Sequence, residues 1–201
     1  MGLDIRTVVG GPLDVNTYVV GLDGVNECVV IDPGAEVCKV DEALAGRTVS
    51  AVLLTHAHFD HMLFAKHWLD HGAKLYVHEL DAPALQDSAL NLCRFIGKEL
   101  EILNADVLLH DGSVIKEAGM QLEVLHTPGH TPGGVCYLTD TTLFSGDTLF
   151  YKSYGRLDFP GGSIQDMVGS IKRLMKLDPE TVVYPGHGMQ TKIAWERRSF
   201  R

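Results

Sequence analysis

The chain has 201 residues, of which 45% are hydrophobic and 21% are charged, and its formal net charge is −9. We expect one globular domain over residues 1–201, and the acidic balance argues against nucleic acid as a partner. No apolar run reaches the roughly eighteen residues of a membrane span, no secretory signal opens the chain, and the cysteines are widely spaced, so we expect reduced thiols and a cytoplasmic location.

Strand-like runs of apolar residues recur along the whole chain. In order they are Ile5–Val9, Thr17–Val20, Cys28–Ile31, Ala51–Leu54, Lys74–Val77, Val107–Leu109, Leu122–Leu125, Val135–Leu138, Thr142–Phe144 and Thr181–Tyr184. Turns such as Leu22-Asp23-Gly24 separate the first runs and indicate hairpins.

Two helices are predicted between these strands. One runs from about Asp60 to His71, with Gly72 stopping it. The other follows Ser163, which with Asp166 forms a plausible N-terminal cap. Its apolar face is expected to consist of Ile164, Met167, Val168, Ile171, Leu174 and Met175. This order of elements predicts a layered α/β sandwich rather than a doubly wound parallel sheet.

Four stretches share one design, in which an apolar strand runs into a Gly- or Pro-containing turn that carries His or Asp. They are AVLLTHAHFDH, LEVLHTPGHTPGG, TLFSGDTLF and TVVYPGHG. Loops just past strand ends present side chains from a rigid scaffold, so we expect all four to converge on one cleft. Together they supply His56, His58, Asp60, His61, His130, Asp147 and His187.

These side chains are too many for one catalytic zinc ion, which usually takes three protein ligands and a water. Two ions that share a carboxylate would use all of them. His56 and His58 are two residues apart in an extended turn and therefore point the same way. Asp60 and His61 lie at the start of the next helix, displaced from that pair, and can serve a second ion. The other histidines, His67, His71, His78, His110 and His126, are not expected to bind metal.

From VVIDPGA at Val29–Ala35 to YPGHG, these motifs resemble those of the metallo-β-lactamase-fold hydrolases, and within them the glyoxalase II-like group. The resemblance covers nearly the whole chain. It implies a four-layer αβ/βα sandwich with two mixed sheets and a dinuclear site at their shared edge.

The resemblance also implies a division of the ligands. The first metal would take His56, His58 and His130, and the second Asp60, His61 and His187. Asp147 would bridge the two ions. Asp32, in the IDPG stretch, matches the aspartate of a family motif that supports the metal loop from behind the ligands.

The predicted reaction follows from the metal pair, because no Ser or Cys lies in a nucleophile elbow. A water between two divalent ions about 3.5 to 4 Å apart ionises near neutral pH, which gives a metal-bridging hydroxide. Asp60 can orient that water or accept its proton. We expect hydrolysis of a small-molecule ester or thioester, which the resemblance sharpens to S-lactoylglutathione-type compounds. Zinc is the first expectation for the metal, and iron or manganese would also suit these ligands.

Substrate contacts are where the chain departs from glyoxalase II. After GDTLF it reads YKSYGRLDFPGG, so Arg156 stands where the family has a lysine and Asp158 where it has a tyrosine. Arg156 can bind a carboxylate through two hydrogen bonds, whereas Asp158 would repel one. Tyr154 is a further candidate for contact with the substrate. The chain ends fourteen residues after His187, so we expect no C-terminal glutathione-binding helical domain.

One alternative uses the same motifs. A mononuclear-iron persulfide dioxygenase also shows a loop like Gly155–Phe159, GRLDF. It predicts one iron per chain and oxygen consumption with glutathione persulfide, whereas the hydrolase predicts two metals and no use of oxygen. His58 argues against a flavodiiron-type oxidoreductase, which would have Glu there, and Asp147 argues against a β-lactamase. The sequence leaves the oligomeric state open.

Overall fold

The computed structural model of the chain describes residues 2–97 and 101–200. It contains two six-stranded sheets with helices on their outer faces. This arrangement confirms the predicted layered α/β sandwich with two mixed sheets. Within the described residues, no helix is long and apolar enough to cross a membrane.

The first sheet is formed by the N-terminal half of the chain. Its strands, in the order in which they pair, are β1 Leu3–Gly10, β2 Val15–Leu22, β3 Glu27–Ile31, β4 Thr48–Leu53, β5 Lys74–His78 and β6 Val107–Leu109. The first three strands pair antiparallel and the last four pair parallel. Helix α1 Val37–Leu44 connects β3 to β4, and the short helices α2 Phe59–Met62 and α3 Ala65–Asp70 connect β4 to β5. Two 3₁₀ turns, Ala82–Leu85 and Cys93–Ile96, follow β5.

The second sheet is formed by the C-terminal half. Its strands are β7 Val114–Glu117, β8 Met120–His126, β9 Val135–Thr139, β10 Thr142–Gly146, β11 Val182–Pro185 and β12 Thr191–Lys192, and they pair in that order. Only the β10–β11 pair, joined through α4 Ile164–Leu174, is parallel. Helix α5 Ile193–Ser199 follows β12. Every predicted strand overlaps an observed one, whereas β7, β12 and α1 were not predicted.

Alternation along the strands builds the layers. Val29 and Ile31 on β3 point into the space between the sheets, where they join a cluster with Tyr137 and Phe144 of the second sheet. Cys28 and Val30 point the other way, into a cluster with Val40 of α1 and Trp68 of α3. A third cluster packs the second sheet against α4 and α5. The sheets therefore face each other across one core, and the helices cover their outer sides.

The prediction of a single helix from Asp60 to His71 was wrong, because the helix is interrupted between Met62 and Ala65. The Phe64 amide donates to the Pro33 carbonyl at 2.9 Å instead of to a carbonyl one helical turn back. The helix gives way to a kink that packs against the loop after β3.

The predicted apolar face of α4 was partly wrong. Met167, Ile171 and Leu174 are buried, but Ile164 and Val168 are 56% and 44% exposed. The buried residues form an i, i+4, i+7 stripe, and the two exposed residues lie beside it. Ser163 caps the helix as predicted, since its side chain accepts from the Asp166 amide.

Candidate metal centre

The segment Thr55–His61, which we call the ligand turn, follows β4 and is buried throughout. Two buried carboxylates from elsewhere in the chain hold its backbone. Asp32, after β3, accepts hydrogen bonds from the Thr55 amide at 2.8 Å and from Thr55 Oγ1 at 2.7 Å. Asp81, after β5, accepts one from the Ala57 amide at 3.1 Å. The protein itself therefore fixes the shape of the turn.

Three loops of the second sheet meet this turn, and with it they supply three overlapping groups of potential ligands. Within each group the ligand atoms lie within 4.8 Å of one another: His56, His58 and His130 in the first, Asp60, His61 and His187 in the second, and His56, His61 and Asp147 in the third. The first two, which we call the two ligand groups, are the sets that the sequence resemblance assigned to two metals. That they bind metal stays a prediction.

Asp147 lies between the two groups. Its Oδ2 is 3.5 Å from His130 Nε2, and its Oδ1 is 3.4 Å from His61 Nε2 and 3.8 Å from His187 Nε2. One carboxylate thus directs one oxygen to each side. This position fits the predicted bridge.

Hydrogen bonds on the far side of three imidazoles fix which nitrogen faces the site. His130 Nδ1 donates to the Arg156 carbonyl at 2.6 Å, and His61 Nδ1 donates to Asp32 at 2.9 Å. Thr55 Oγ1 gives its only proton to Asp32, so it accepts from His56 Nδ1 at 3.1 Å. All three rings therefore carry a proton on Nδ1 and turn Nε2 inward, which is how histidine ligands are usually oriented.

The inward atoms fit a cation. His56 Nε2, His61 Nε2 and Asp147 Oδ1 are buried and have no hydrogen-bond partner among the described residues, and His58 directs Nδ1 toward the site, 2.9 Å from His130 Nε2. A buried polar atom without a partner costs about 1 to 3 kcal/mol. Several such atoms around one point are expected where the protein has been shaped for divalent cations.

Electrostatics favours the metal-binding protonation state of most of these groups. Burial lowers the pKa of His56 well below its ordinary value and lowers the pKa of His58 to about 3. Burial alone would raise the pKa of Asp147, but the neighbouring histidines, His61 first, lower that pKa instead. Neutral imidazoles and an ionised carboxylate are the forms that coordinate metal.

Two histidines of this cluster, His61 and His187, are exceptions, because neighbouring carboxylates raise the pKa of each although burial opposes them. Burial disfavours the charged form of His61, yet Asp60, Asp32 and Asp147 face it and raise its pKa well above the ordinary value. A cation bound to His61 would therefore displace a proton, which makes metal affinity depend on pH.

Glycines let the backbone approach these side chains closely. A Cβ at Gly186 would collide with Asp147 and with the ring of His61, and one at Gly34 would collide with the Asp60 carbonyl. Both glycines lie in the motifs that the sequence singled out, so part of each motif serves packing around the ligands.

The loop that carries His187 is held by the other sheet. The Asn16 amide, on β2, donates to the Gly186 carbonyl at 2.7 Å, and Asn16 Nδ2 donates to the carbonyls of Pro185 and Gly188, both at 2.9 Å. Tyr18 Oη donates to Pro185 as well, at 2.6 Å. A strand near the start of the chain thus positions the last predicted ligand.

A cavity of about 440 Å³ opens directly over the predicted ligands. The segment Phe150–Phe159, which we call the cavity loop, forms one of its walls. Of the three predicted substrate contacts, Arg156 and Tyr154 line this cavity and Asp158 does not. Asp158 pairs with Arg156 instead: its Oδ1 accepts from Arg156 Nε at 2.9 Å and its Oδ2 from Arg156 Nη2 at 2.6 Å. Apart from predicted ligands and Ser153, the rest of the lining is aromatic or aliphatic.

Sequence reasoning missed Asp81. Besides Ala57, its carboxylate accepts from Thr131 Oγ1 at 2.8 Å and from the Gly133 amide at 2.6 Å, so it ties the ligand turn to the His130 loop. It follows β5 in the stretch YVHELD, and that strand-then-acid pattern was the available signal. The histidines excluded from metal binding lie outside the two groups; His78, for example, stacks on His126 at 4.2 Å.

Comparisons with known proteins identify the family of this chain. The family model described as the metallo-beta-lactamase superfamily matches residues 10–187. The chain is 35% identical over 202 residues to a probable metallo-hydrolase, YqgX, of Bacillus subtilis, covering 96% of this chain and 93% of the relative. It is 31% identical over 189 residues to the hydroxyacylglutathione hydrolase GloC of Haemophilus influenzae, covering 88% and 87%.

Solved structures show the same fold. The BLEG-1 B3 metallo-beta-lactamase superposes with a TM-score of 0.91 at 35% identity, covering 97% of both chains. TTHA1623 in a di-iron-bound form gives 0.86 at 37%, covering 96% of this chain and 98% of the other. ETHE1 from Myxococcus xanthus gives 0.80 at 27%, covering 98% and 83%.

Proposed function

This chain belongs to the metallo-β-lactamase superfamily of metal-dependent hydrolases, and we propose that it cleaves thioesters or esters, S-lactoylglutathione-type compounds among them. The observation that carries the proposal is the position of Asp147 between two groups of inward-facing ligands. The similarity to the hydroxyacylglutathione hydrolase supports the thioester assignment.

We propose that the site holds two divalent ions. One ion would be held by His56, His58 and His130, and the other by Asp60, His61 and His187, with Asp147 shared. When bound, such ions lower the pKa of water and polarise a carbonyl oxygen, which is what thioester hydrolysis needs. Zinc is the first candidate, and the similarity to a di-iron protein keeps iron, with manganese, as an alternative.

Side chains of the protein would orient the attacking water and hold the ligand turn in place. Asp60 Oδ2 lies 3.2 Å from His187 Nε2, and the histidines beside this carboxylate lower its pKa although burial opposes them, so it is ionised at neutral pH. In this state Asp60 can accept a hydrogen bond, or the proton, from the attacking water. Asp32 and Asp81 would keep the ligand turn from moving during the reaction.

Metal content and activity of one preparation, purified without chelator, test this function. We expect two metals per chain and release of thiol from S-lactoylglutathione without oxygen uptake. A preparation that holds one iron and cleaves no thioester would contradict the proposal. A β-lactam should be assayed alongside because of the similarity to BLEG-1.

Persulfide oxidation is the second candidate, and two observations favour it. The chain is similar to ETHE1, and the Arg156 carbonyl of its GRLDF loop accepts from the predicted ligand His130. This candidate predicts a single iron and oxygen consumption with glutathione persulfide, so the same preparation distinguishes it from the hydrolase.

Other expectations stay proposals. We propose that residues 1–201 form a single domain, that the protein lies in the cytoplasm, and that its partner is a small molecule rather than nucleic acid. Cell fractionation tests the location.

A further inference from the structure

We propose that the preferred substrates are thioesters of apolar acyl chains whose thiol part carries no carboxylate. This inference rests on the proposed thioester hydrolysis and narrows it to one substrate class. It comes from the cavity over the ligands, whose apolar lining consists chiefly of Leu13, Phe59, Leu92, Phe95, Phe150 and Phe159.

The apolar surface extends to the edge of the ligand groups. The ring of Phe159 lies edge-on to the rings of His58 and His130, with centroids 5.6 and 6.1 Å away, and packs against Phe59 and Leu92. An acyl chain whose carbonyl carbon lies near the ligands would therefore continue along apolar atoms. Burial of such a chain is favourable in proportion to the apolar area removed from water.

Leu92 shows that this wall is specifically built. Its backbone is in the left-handed region, with φ of 66°, where a leucine is strained, and its side chain is buried in the cluster with Phe59 and Phe159. Strain of this kind persists where the surrounding structure imposes it, often beside a binding site.

Among the described residues, no arginine or lysine without an ion-pair partner lines the cavity to receive the carboxylate of a thiol. Arg156 is the one cationic side chain, other than histidine, that lines it among the described residues. Arg156 Nε and Nη2 both donate to Asp158, and the guanidinium lies 4.6 Å over the ring of Phe159. Glutathione carries two carboxylates, so a bidentate grip of one by the Nε–Nη2 edge of Arg156 would require Arg156 to leave Asp158, whereas a neutral thiol part requires no such exchange.

A chain-length series tests the inference. Straight-chain acyl thioesters of N-acetylcysteamine, from acetyl to octanoyl, are compared with the same acyl thioesters of glutathione and with S-lactoylglutathione. We expect kcat/KM to rise about two- to fourfold for each added methylene until the cavity is filled. We expect the octanoyl N-acetylcysteamine thioester to exceed S-lactoylglutathione by about tenfold or more.

The outcomes separate this inference from the proposed function. Cleavage of S-lactoylglutathione with no dependence on chain length would overturn the apolar preference and leave thioester hydrolysis standing. Higher kcat/KM for glutathione thioesters than for neutral ones of equal chain length would do the same. Failure of the metal-loaded protein to cleave any thioester would overturn both.

Two variants and a matched control locate the effect. Phe159→Ala should flatten the chain-length dependence and weaken binding of the non-hydrolysable S-octyl thioether of N-acetylcysteamine, measured by calorimetry. Leu13→Ser, at a rim position 54% exposed, should lower octanoyl turnover about threefold, and more than it lowers acetyl turnover. Leu108→Ser is the control, since Leu108 is equally exposed, at 51%, and lies on β6 away from the cavity. Equal effects of Leu13→Ser and Leu108→Ser would overturn the inference.

Discussion

The ligand turn and the cavity loop flank the same cleft but are held in opposite ways. Every residue of the ligand turn is buried, and two buried carboxylates from neighbouring strands fix its backbone. The cavity loop is largely exposed, and its ion pair between Arg156 and Asp158 lies at the surface, with side chains 69% and 65% exposed. The contrast separates two tasks: the buried turn is suited to fix the chemistry, and the exposed loop is suited to select the substrate.

The largest effect is expected at the carboxylate between the two ligand groups. Asp147→Ala should remove both metals and lower kcat/KM by more than about 100-fold, because the groups on either side lose their shared oxygen donor. Metal analysis and thioester assays measure this. Asp41→Ala, at an exposed position on α1, is the control. Retention of two metals and of activity would remove the bridge from the proposed site.

Asp32 should have the next largest effect, although it touches the turn from behind. Asp32→Asn removes the charge that faces His61 Nδ1, and asparagine tolerates the positive φ of 50° at this position. We expect metal affinity to fall by about 10- to 100-fold with the fold retained. Competition with a chelator measures the affinity, and an unchanged value would contradict the orienting role.

Substitution of Asp81 tests whether a buried carboxylate contributes more to the free energy of unfolding than an exposed one in the cavity loop. Asp81→Ala leaves the Ala57 amide, Thr131 Oγ1 and the Gly133 amide without their acceptor, and should cost about 3 kcal/mol of unfolding free energy. Asp158→Ala is the exposed counterpart and should cost less than about 1 kcal/mol. Urea unfolding measures both variants. Equal costs would remove the distinction.

The smallest effect is expected at the cavity loop, and it concerns selectivity. Asp158→Asn releases Arg156, so kcat/KM for S-lactoylglutathione should rise about two- to fivefold, while that for a neutral N-acetylcysteamine thioester stays unchanged. The same substitution in an Arg156→Ala background should have no effect on either substrate. A gain that persists in that background would mean that Arg156 is not the group released.

The sequence predicted the elements around the ligand turn well because their signals are local. Cys28–Ile31 and Ala51–Leu54 are apolar runs that end in polar turns, and a buried strand produces that pattern without reference to the rest of the chain. The break after Met62 was missed because it depends on a hydrogen bond from Phe64 to the distant Pro33, which no local pattern reveals.

The ligand turn and the cavity also differ in how far their residues could be predicted from local sequence. Motif spacing was enough to group His56 with His58, but the cavity walls come from segments far apart in the chain, such as Leu13, Leu92 and Phe159. Asp81 was missed for a further reason, since a lone acid after a strand is also what an ordinary turn contains. Its role became visible only when its three hydrogen-bond donors were brought together.

The hydrogen bonds from Asn16 to the His187 loop have a consequence for the folding of the chain during its synthesis. Asn16 is hydrogen-bonded to residues up to 172 positions later in the chain, so the loop acquires its native shape only when both of these segments are present. Contacts of such long sequence separation form late, because the intervening chain must first be ordered. A ribosome-bound chain that still lacks its last strands can form the ligand turn but not the complete pair of ligand groups. Full metal loading is therefore expected only after synthesis has ended.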